Sequence, residues 1–187
     1  MAHTQQFDFM KRVKKTFPQY FKSKRILDVG SYDVNGNNKF LFDECQYYGL
    51  DLDSGPNVDI VADAHTFEAP NEAYDVVISG EMLEHNKYWP GTLRNMIRML
   101  KSGGLMVFAC ATVGRPVHGI KASIPHNDPN WKTFPTSYID DPEWNNYYRN
   151  ISIDDIRNTV HLDEHFIHYS LEIENDHHDL YFWGIKR

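Results

Sequence analysis

Three observations predict an α/β fold built on a doubly wound, mostly parallel sheet of seven strands. Residues 25–53 read as a short apolar strand, a polar loop opening at Gly30 and reaching Gly36, a helix, and a second strand that closes on Asp51. Further on, apolar runs alternate with a clear helical stripe, and regular strand-helix-strand order calls for parallel strands joined by right-handed crossovers. The tail is different in kind. Ile167, Tyr169, Leu171 and Ile173 alternate with polar residues, whereas Leu180-Tyr181-Phe182-Trp183 is continuous, so a hairpin turning at 175–178 carries an edge strand and then an interior one.

Each element has its own signal. Phe7, Met10 and Val13 fall three apart, as in an amphipathic helix over 4–16 that Phe17-Pro18 ends; this helix, within residues 1–22, packs on the sheet edge or lids the site. The first strand is 25–29, a helix over about 37–44 turns Phe40 and Leu41 inward, and the second strand is 46–52. Asp53-Ser54-Gly55-Pro56 turns the chain into a short third strand through Val58, Ile60 and Val61 that stops at Asp63. Strand four, 74–79, is almost wholly apolar, as a central strand buried on both faces must be. Leu93, Met96, Ile97 and Leu100 stripe a helix from Trp89-Pro90 that Gly103-Gly104 ends, and strand five is 105–111. Over 113–150 periodicity stops, and Trp131, Phe134, Tyr138, Trp144, Tyr147 and Tyr148 crowd a loop long enough to be functional. It reads as a substrate-side cap, its rings divided between covering the sheet edge and lining the acceptor pocket. Ser152 followed by Asp155 starts a helix over about 153–161 in the manner of a capping box.

A chain of 187 residues without a linker-like stretch fits one domain, 1–187. Its first residues lack the order of a signal peptide and no apolar run is long enough for a bilayer, so no membrane association is expected. Cys45 and Cys110 give neither a disulfide framework nor zinc spacing, which suits a reducing, cytoplasmic setting. A net charge of -7 argues against general nucleic-acid affinity. The acid-free basic run from Lys11 through Arg12, Lys14, Lys15, Lys22 and Lys24 to Arg25 is read as a solvated face before an anion-binding one.

Tyr32 and Asn35 stand where a dinucleotide fingerprint would need glycine, so a ligand without a pyrophosphate is expected. Leu27-Asp28-Val29-Gly30, Gly49-Leu50-Asp51, Asp63-Ala64, Tyr74-Asp75-Val76-Val77, Glu81-Met82-Leu83-Glu84-His85 and Leu100-Lys101-Ser102-Gly103-Gly104, taken together over residues 24–112, resemble the class I S-adenosylmethionine (SAM) methyltransferases. The resemblance implies strand order 3-2-1-4-5-7-6 with strand seven antiparallel, helices on both faces, and SAM as cofactor. It places Asp28 and Gly30 beneath the methionine part of SAM, with Asp28 holding loop amides or a water near the ammonium group. Ser31 and Tyr32 depart from the family's Gly-x-Gly. Asp51, followed by Leu52, is the acceptor for the ribose hydroxyls, and Asp53 either shares that role or starts the turn. Asp63 and the amide of Ala64 belong at adenine, and Ser79 and Gly80 at the sulfonium side.

If a helix or turn begins after Gly80, Glu81, Glu84 and His85 share one face. Two carboxylates and an imidazole suit a divalent cation, with His118 able to complete the set. A similar Glu-x-x-Glu-His occurs in metal-dependent small-RNA 2′-O-methyltransferases and ubiquinone-pathway O-methyltransferases, but class I enzymes also carry Glu-His here without metal, and the metal-free reading is preferred. For a hydroxyl acceptor His85 is the first candidate base and His118 the second. Arg149 meets an acidic substrate group or an acid of its own loop. The expected function is methyl transfer from SAM to an oxygen or nitrogen of a small or medium-sized acceptor, with in-line positioning supplying most of the rate. The alternatives are a metal-assisted RNA 2′-O-methyltransferase and a non-catalytic SAM- or nucleotide-binding module, with a nicotinamide oxidoreductase last for want of the glycine fingerprint.

Overall fold

The strands are β1 (Arg25–Val29), β2 (Gln46–Asp51), β3 (Ile60–Val61), β4 (Tyr74–Gly80), β5 (Leu100–Ala111), β6 (Phe166–Glu174) and β7 (Asp179–Lys186), in a computed structural model that describes residues 4–120, 144 and 146–187. They form one sheet in the order β3-β2-β1-β4-β5-β7-β6. Strands β1 to β5 pair in parallel and β7 runs antiparallel to both β5 and β6. This is the order and sense that the family resemblance implies. Asp28 lies level with Gly49 on one side and Ile78 on the other, so the carboxyl ends of the three central strands open at one edge.

Period-two alternation divides the strands between two cores. Leu27, Val29, Val77, Met106 and Phe108 face the helices α2 (Trp89–Met99), α3 (Ile153–Thr159) and α4 (Leu162–His165). Ile26, Val76, Ile78, Leu105, Val107 and Tyr181 face α1 (Thr4–Thr16). Phe9 of α1 stacks flat on Tyr181, centroids 4.4 Å apart, which docks that helix to the sheet face and not to its edge.

Several elements differ from expectation for identifiable reasons. The buried stripe of α1 is Gln6, Phe9, Met10 and Val13, with Phe7 only half-buried, because a polar residue occupies one buried position and masks the phase. The helix expected over 37–44 is a single 3₁₀ turn, Lys39–Leu41, which buries Leu41 and leaves Phe40 60% exposed. Asp33 explains it: its carboxylate accepts from the backbone N–H of Gly36 and from the side-chain Nδ2 of Asn37, both at 2.6 Å, and such local side-chain bonds compete with helix formation. Val58 belongs to a turn, its N–H donating to Gly55 O, so β3 is shorter than expected. Gly103-Gly104 does not end α2 but makes a bulge inside β5, whose pairing jumps from Tyr74↔Leu100 to Val76↔Leu105. Gly103 has φ +72, which a side chain would resist. The capping box forms as expected, Asp155 N–H donating to Ser152 Oγ at 3.0 Å and Ser152 N–H to Asp155 Oδ2 at 2.9 Å. Helix α4 was not expected, since four residues are too few to show a period.

In the basic run, Lys11, Arg12, Lys14 and Lys22 each meet an acid, Asp8, Glu172, Asp43 and Glu44. Among the described residues no helix is long and apolar enough to cross a membrane. Most of the expected cap, including Trp131, Phe134 and Tyr138, lies outside the described residues.

Candidate active site

Gly30 takes the chain off β1 at φ +80, its N–H bonded to Leu50 O at 2.8 Å, and packs so tightly that a Cβ would stand 2.4 Å from the Met82 side chain. Two adjoining cavities meet here. The larger is lined by Asp28, Gly30, Ser31, Asp51, Ser79 and Gly80, continues to Glu81 and His85, and is walled by Gln6, Phe7 and Met10 of α1. The smaller is lined by Leu52, Asp63 and Ala64 together with Asn86 and Trp144, and Gly30, Asp51 and Met82 border both. Every residue assigned to cofactor binding from the sequence therefore borders one cavity or the other.

Their chemistry is uneven. Asp51 accepts from Tyr32 N–H at 2.9 Å and from Leu52 N–H at 2.7 Å; burial pushes its carboxyl up and these amides pull it back. Asp53 accepts from Ser54 N–H at 2.9 Å through Oδ1. Asp63 Oδ1 takes His65 N–H and lies 2.7 Å from His65 Nδ1, and the His65 ring packs on Tyr88, which meets Trp144 edge-on. Ser79 donates to Val29 O at 2.7 Å, tying the ends of β1 and β4 together. Ser31 Oγ sits so close to Gly49 that a Cβ there would lie 2.6 Å away.

Of the two expected roles of Asp28, the hold on loop amides is not seen. Asp28 receives Tyr47 OH at 2.6 Å and Asn57 Nδ2 at 3.4 Å and, among the described residues, no loop amide. Burial pushes its pKa up to about 7, the Tyr47 bond opposing. A folded pKa above the unfolded one means that the folded state holds the proton longer; the associated stability is full below pH ~4 and is lost as pH rises to ~7. Asp28→Asn should then leave the empty protein little changed near pH 4 and make it more stable near pH 8, by on the order of a few kcal/mol. Urea titrations at the two pH values check this, and a mutant equally or less stable at pH 8 refutes it.

Beyond Gly80 the chain continues one more bond along β5, Glu81 N–H to Ala109 O at 2.9 Å, then turns with Glu81 at φ +51. A 3₁₀ turn, Leu83–His85, follows. This brings Glu81, Glu84 and His85 to a common centre, and the loop after β5 adds His118: its Nε2 lies 3.7 Å from Glu81 Oε2 and 4.0 Å from Glu84 Oε1. One ligand atom each from Glu84, His85 and His118 all lie within 4.8 Å of one another. The rings of His85, His118 and Tyr148 meet edge-on at 5.1–5.3 Å. Glu84 is fully buried, and neither of its oxygens makes a hydrogen bond among the described residues. Burial, then the charge of Glu81, push its carboxyl well up. Burial also acts to raise Glu81, but His118 and Arg115 outweigh it and hold that carboxyl low. Burial pushes His85 down to about 3, His118 adding to the effect, so His85 is neutral. Arg115 is itself fixed by Asp179 at 2.8 Å and His177 O at 2.7 Å. Arg149 pairs with Asp155 of α3, beyond its own loop, and its backbone N–H donates to Glu84 O.

Tyr47, Asn57, Met82 and Arg115 escaped sequence reasoning, since each works through a contact across the sheet that no spacing reveals.

A methyltransferase-domain family model matches residues 1–179. The chain belongs to that family. Similar solved structures share the fold of this methyltransferase domain. Phosphoethanolamine N-methyltransferase 2 of Haemonchus contortus, solved with S-adenosyl-L-methionine, superposes with TM-score 0.65 at 16% identity, over 96% of this chain and 52% of that one. The YcgJ protein of Bacillus subtilis superposes with TM-score 0.61 at 12% identity over 99% of both chains. The 1,6-didemethyltoxoflavin-N1-methyltransferase of Burkholderia thailandensis, solved with 1,6-didemethyltoxoflavin and S-adenosylhomocysteine, gives TM-score 0.57 at 9% identity over 100% of this chain and 91% of that one. The methyltransferase domain thus spans about half the length of the Haemonchus enzyme. No curated protein sequence matches the chain.

Proposed function

We propose that this methyltransferase domain carries a methyl group from SAM to an oxygen or nitrogen of a small or medium-sized acceptor that enters beside Glu81, His85 and His118. The observation that supports it is continuity: one cavity runs from the expected cofactor residues Asp28, Gly30 and Asp51 to Gly80, Glu81 and His85 without a break. Asp51 and Asp63 offer carboxylate oxygens for the ribose and adenine ends, and Gly80 leaves the strand end narrow where the methyl must be reached. Glu81 keeps a backbone conformation unfavourable for a residue with a side chain, held by its bond to Ala109 and by Arg115, as strained residues at working sites are. The protein's part in the chemistry is to align acceptor and methyl and to exclude water. With His85 so weak a base, His118, 20% exposed at its side chain, is the better placed of the two imidazoles to take a proton.

A second reading is favoured by one feature, the buried Glu84. A carboxylate without hydrogen bonds is costly in an apolar interior unless a cation meets it, and neutral His85 with His118 completes an oxygen and nitrogen set fit for a divalent ion. Glu84, His85 and His118 would hold it, with Glu81 beside them. Such an ion, when bound, lowers the pKa of an acceptor hydroxyl. This is the route to 2′-O-methylation of RNA ends. The test is demethylated-cofactor formation on panels of small acceptors and RNA ends, before and after chelation. Turnover of small acceptors unaffected by chelator is the expected result; activity confined to RNA ends and restored only by added Mn²⁺ or Mg²⁺ would replace the first reading with the second.

A further inference from the structure

Gln6 sits in the first turn of α1, on the helix face that Phe9, Met10 and Val13 lock to the sheet. It is 4% exposed, borders the larger cavity, and its Nε2 is buried without a hydrogen-bond partner. A helix pinned by core residues does not normally spend a buried position on an unsatisfied amide. The cavity's own charges indicate what would satisfy it. Asp28, Asp51 and Glu81 are its ionisable acids, and no Lys or Arg borders it among the described residues. SAM brings ribose hydroxyls, an ammonium and a sulfonium, all of which suit acids, and one anionic group, the carboxylate, which does not. That carboxylate needs neutral donors. The Asn37 side-chain amide is already engaged by Asp33, whereas Gln6 Nε2 and the Ser31 hydroxyl are buried cavity groups without a partner among the described residues, and of the two only Gln6 comes from the helix that walls the cavity.

We propose that Gln6 is a cofactor-binding residue, its side-chain amide donating to the carboxylate of the cofactor's methionyl part. Helix α1 then reads which ligand is bound, since it meets the amino-acid half and leaves the adenosine half to Asp51 and Asp63. The proposal rests on SAM being the cofactor, and its test uses binding alone. Calorimetry on Gln6→Leu and Gln6→Glu compares S-adenosylhomocysteine with 5′-methylthioadenosine, which keeps the adenosine and lacks the carboxylate. Gln6→Leu should weaken S-adenosylhomocysteine about tenfold or more, the loss expected for a hydrogen bond to a charged group. Gln6→Glu should weaken it further by like-charge repulsion. Both variants should bind 5′-methylthioadenosine as the wild type does. Unchanged affinity for S-adenosylhomocysteine, or a parallel loss for the two ligands, overturns the assignment, the latter marking a merely structural Gln6. Wild-type protein that binds neither ligand would instead remove the cofactor itself, and the proposal with it.

Discussion

Gly49→Ala should destabilise the protein by about 3 kcal/mol or more, the range of substitutions that force backbone apart. A Cβ at Gly49 would stand 1.8 Å from Asn57 O and 2.6 Å from Ser31 Oγ. The Asn57 carbonyl cannot give way. Asn57, at φ +66, is anchored by its amide to Ser31 O at 3.0 Å, and Asp59 ties the same turn to Gly49 through both its N–H and its carboxylate, each at 2.8 Å. Because this turn carries the Asn57 contact to Asp28, residual folded protein should bind cofactor poorly as well. Urea denaturation checks it; a loss below about 1 kcal/mol would mean that the turn rearranges freely.

Asp51→Ala should weaken SAM and its demethylated product by about 1.5–3 kcal/mol, roughly ten- to a hundredfold, the usual weight of a hydrogen bond to a charged acceptor. The fold should survive at reduced stability, since the Tyr32 and Leu52 amides lose their shared acceptor at a strand end that water can reach. Asp51→Asn, with one acceptor oxygen left, should fall between the two. Calorimetry on folded protein decides, and wild-type affinity in Asp51→Ala would shift the ribose contact elsewhere.

The sheet was legible because its strands are apolar for a reason that sequence displays: β4 is buried on both faces and says so residue by residue. The same holds for the acids at strand ends, Asp51 and Asp63, whose place follows from where their strands stop. What stayed hidden depends on side chains meeting across the chain. Spacing grouped Glu81, Glu84 and His85 and His118 was named as able to complete the set, but spacing could not show that Glu84, His85 and His118, 33 positions after His85, are the three that come within ligand distance of one another. Asp28 was expected to hold loop amides or a water near the ammonium group, and the bond it accepts from Tyr47 of the neighbouring strand was not foreseen. The helix expected after Gly36 failed because Asp33 offered the backbone a local alternative that apolar periodicity does not register.

The position of β7 has a consequence for how the protein is made. It is synthesised after β6, yet lies between β6 and β5, so β5 has no neighbour on that side until residues 179–186 have left the ribosome. Until then β5 presents an unpaired apolar edge, the kind of surface on which nascent chains aggregate. Asp179, the first residue of β7, is also the partner that fixes Arg115, and through it Glu81. The Glu81 end of the cavity therefore acquires its final shape only when the sheet closes, and a translating ribosome carries a domain that can bring Asp28, Gly30 and Asp51 together before it can assemble the cluster beside them.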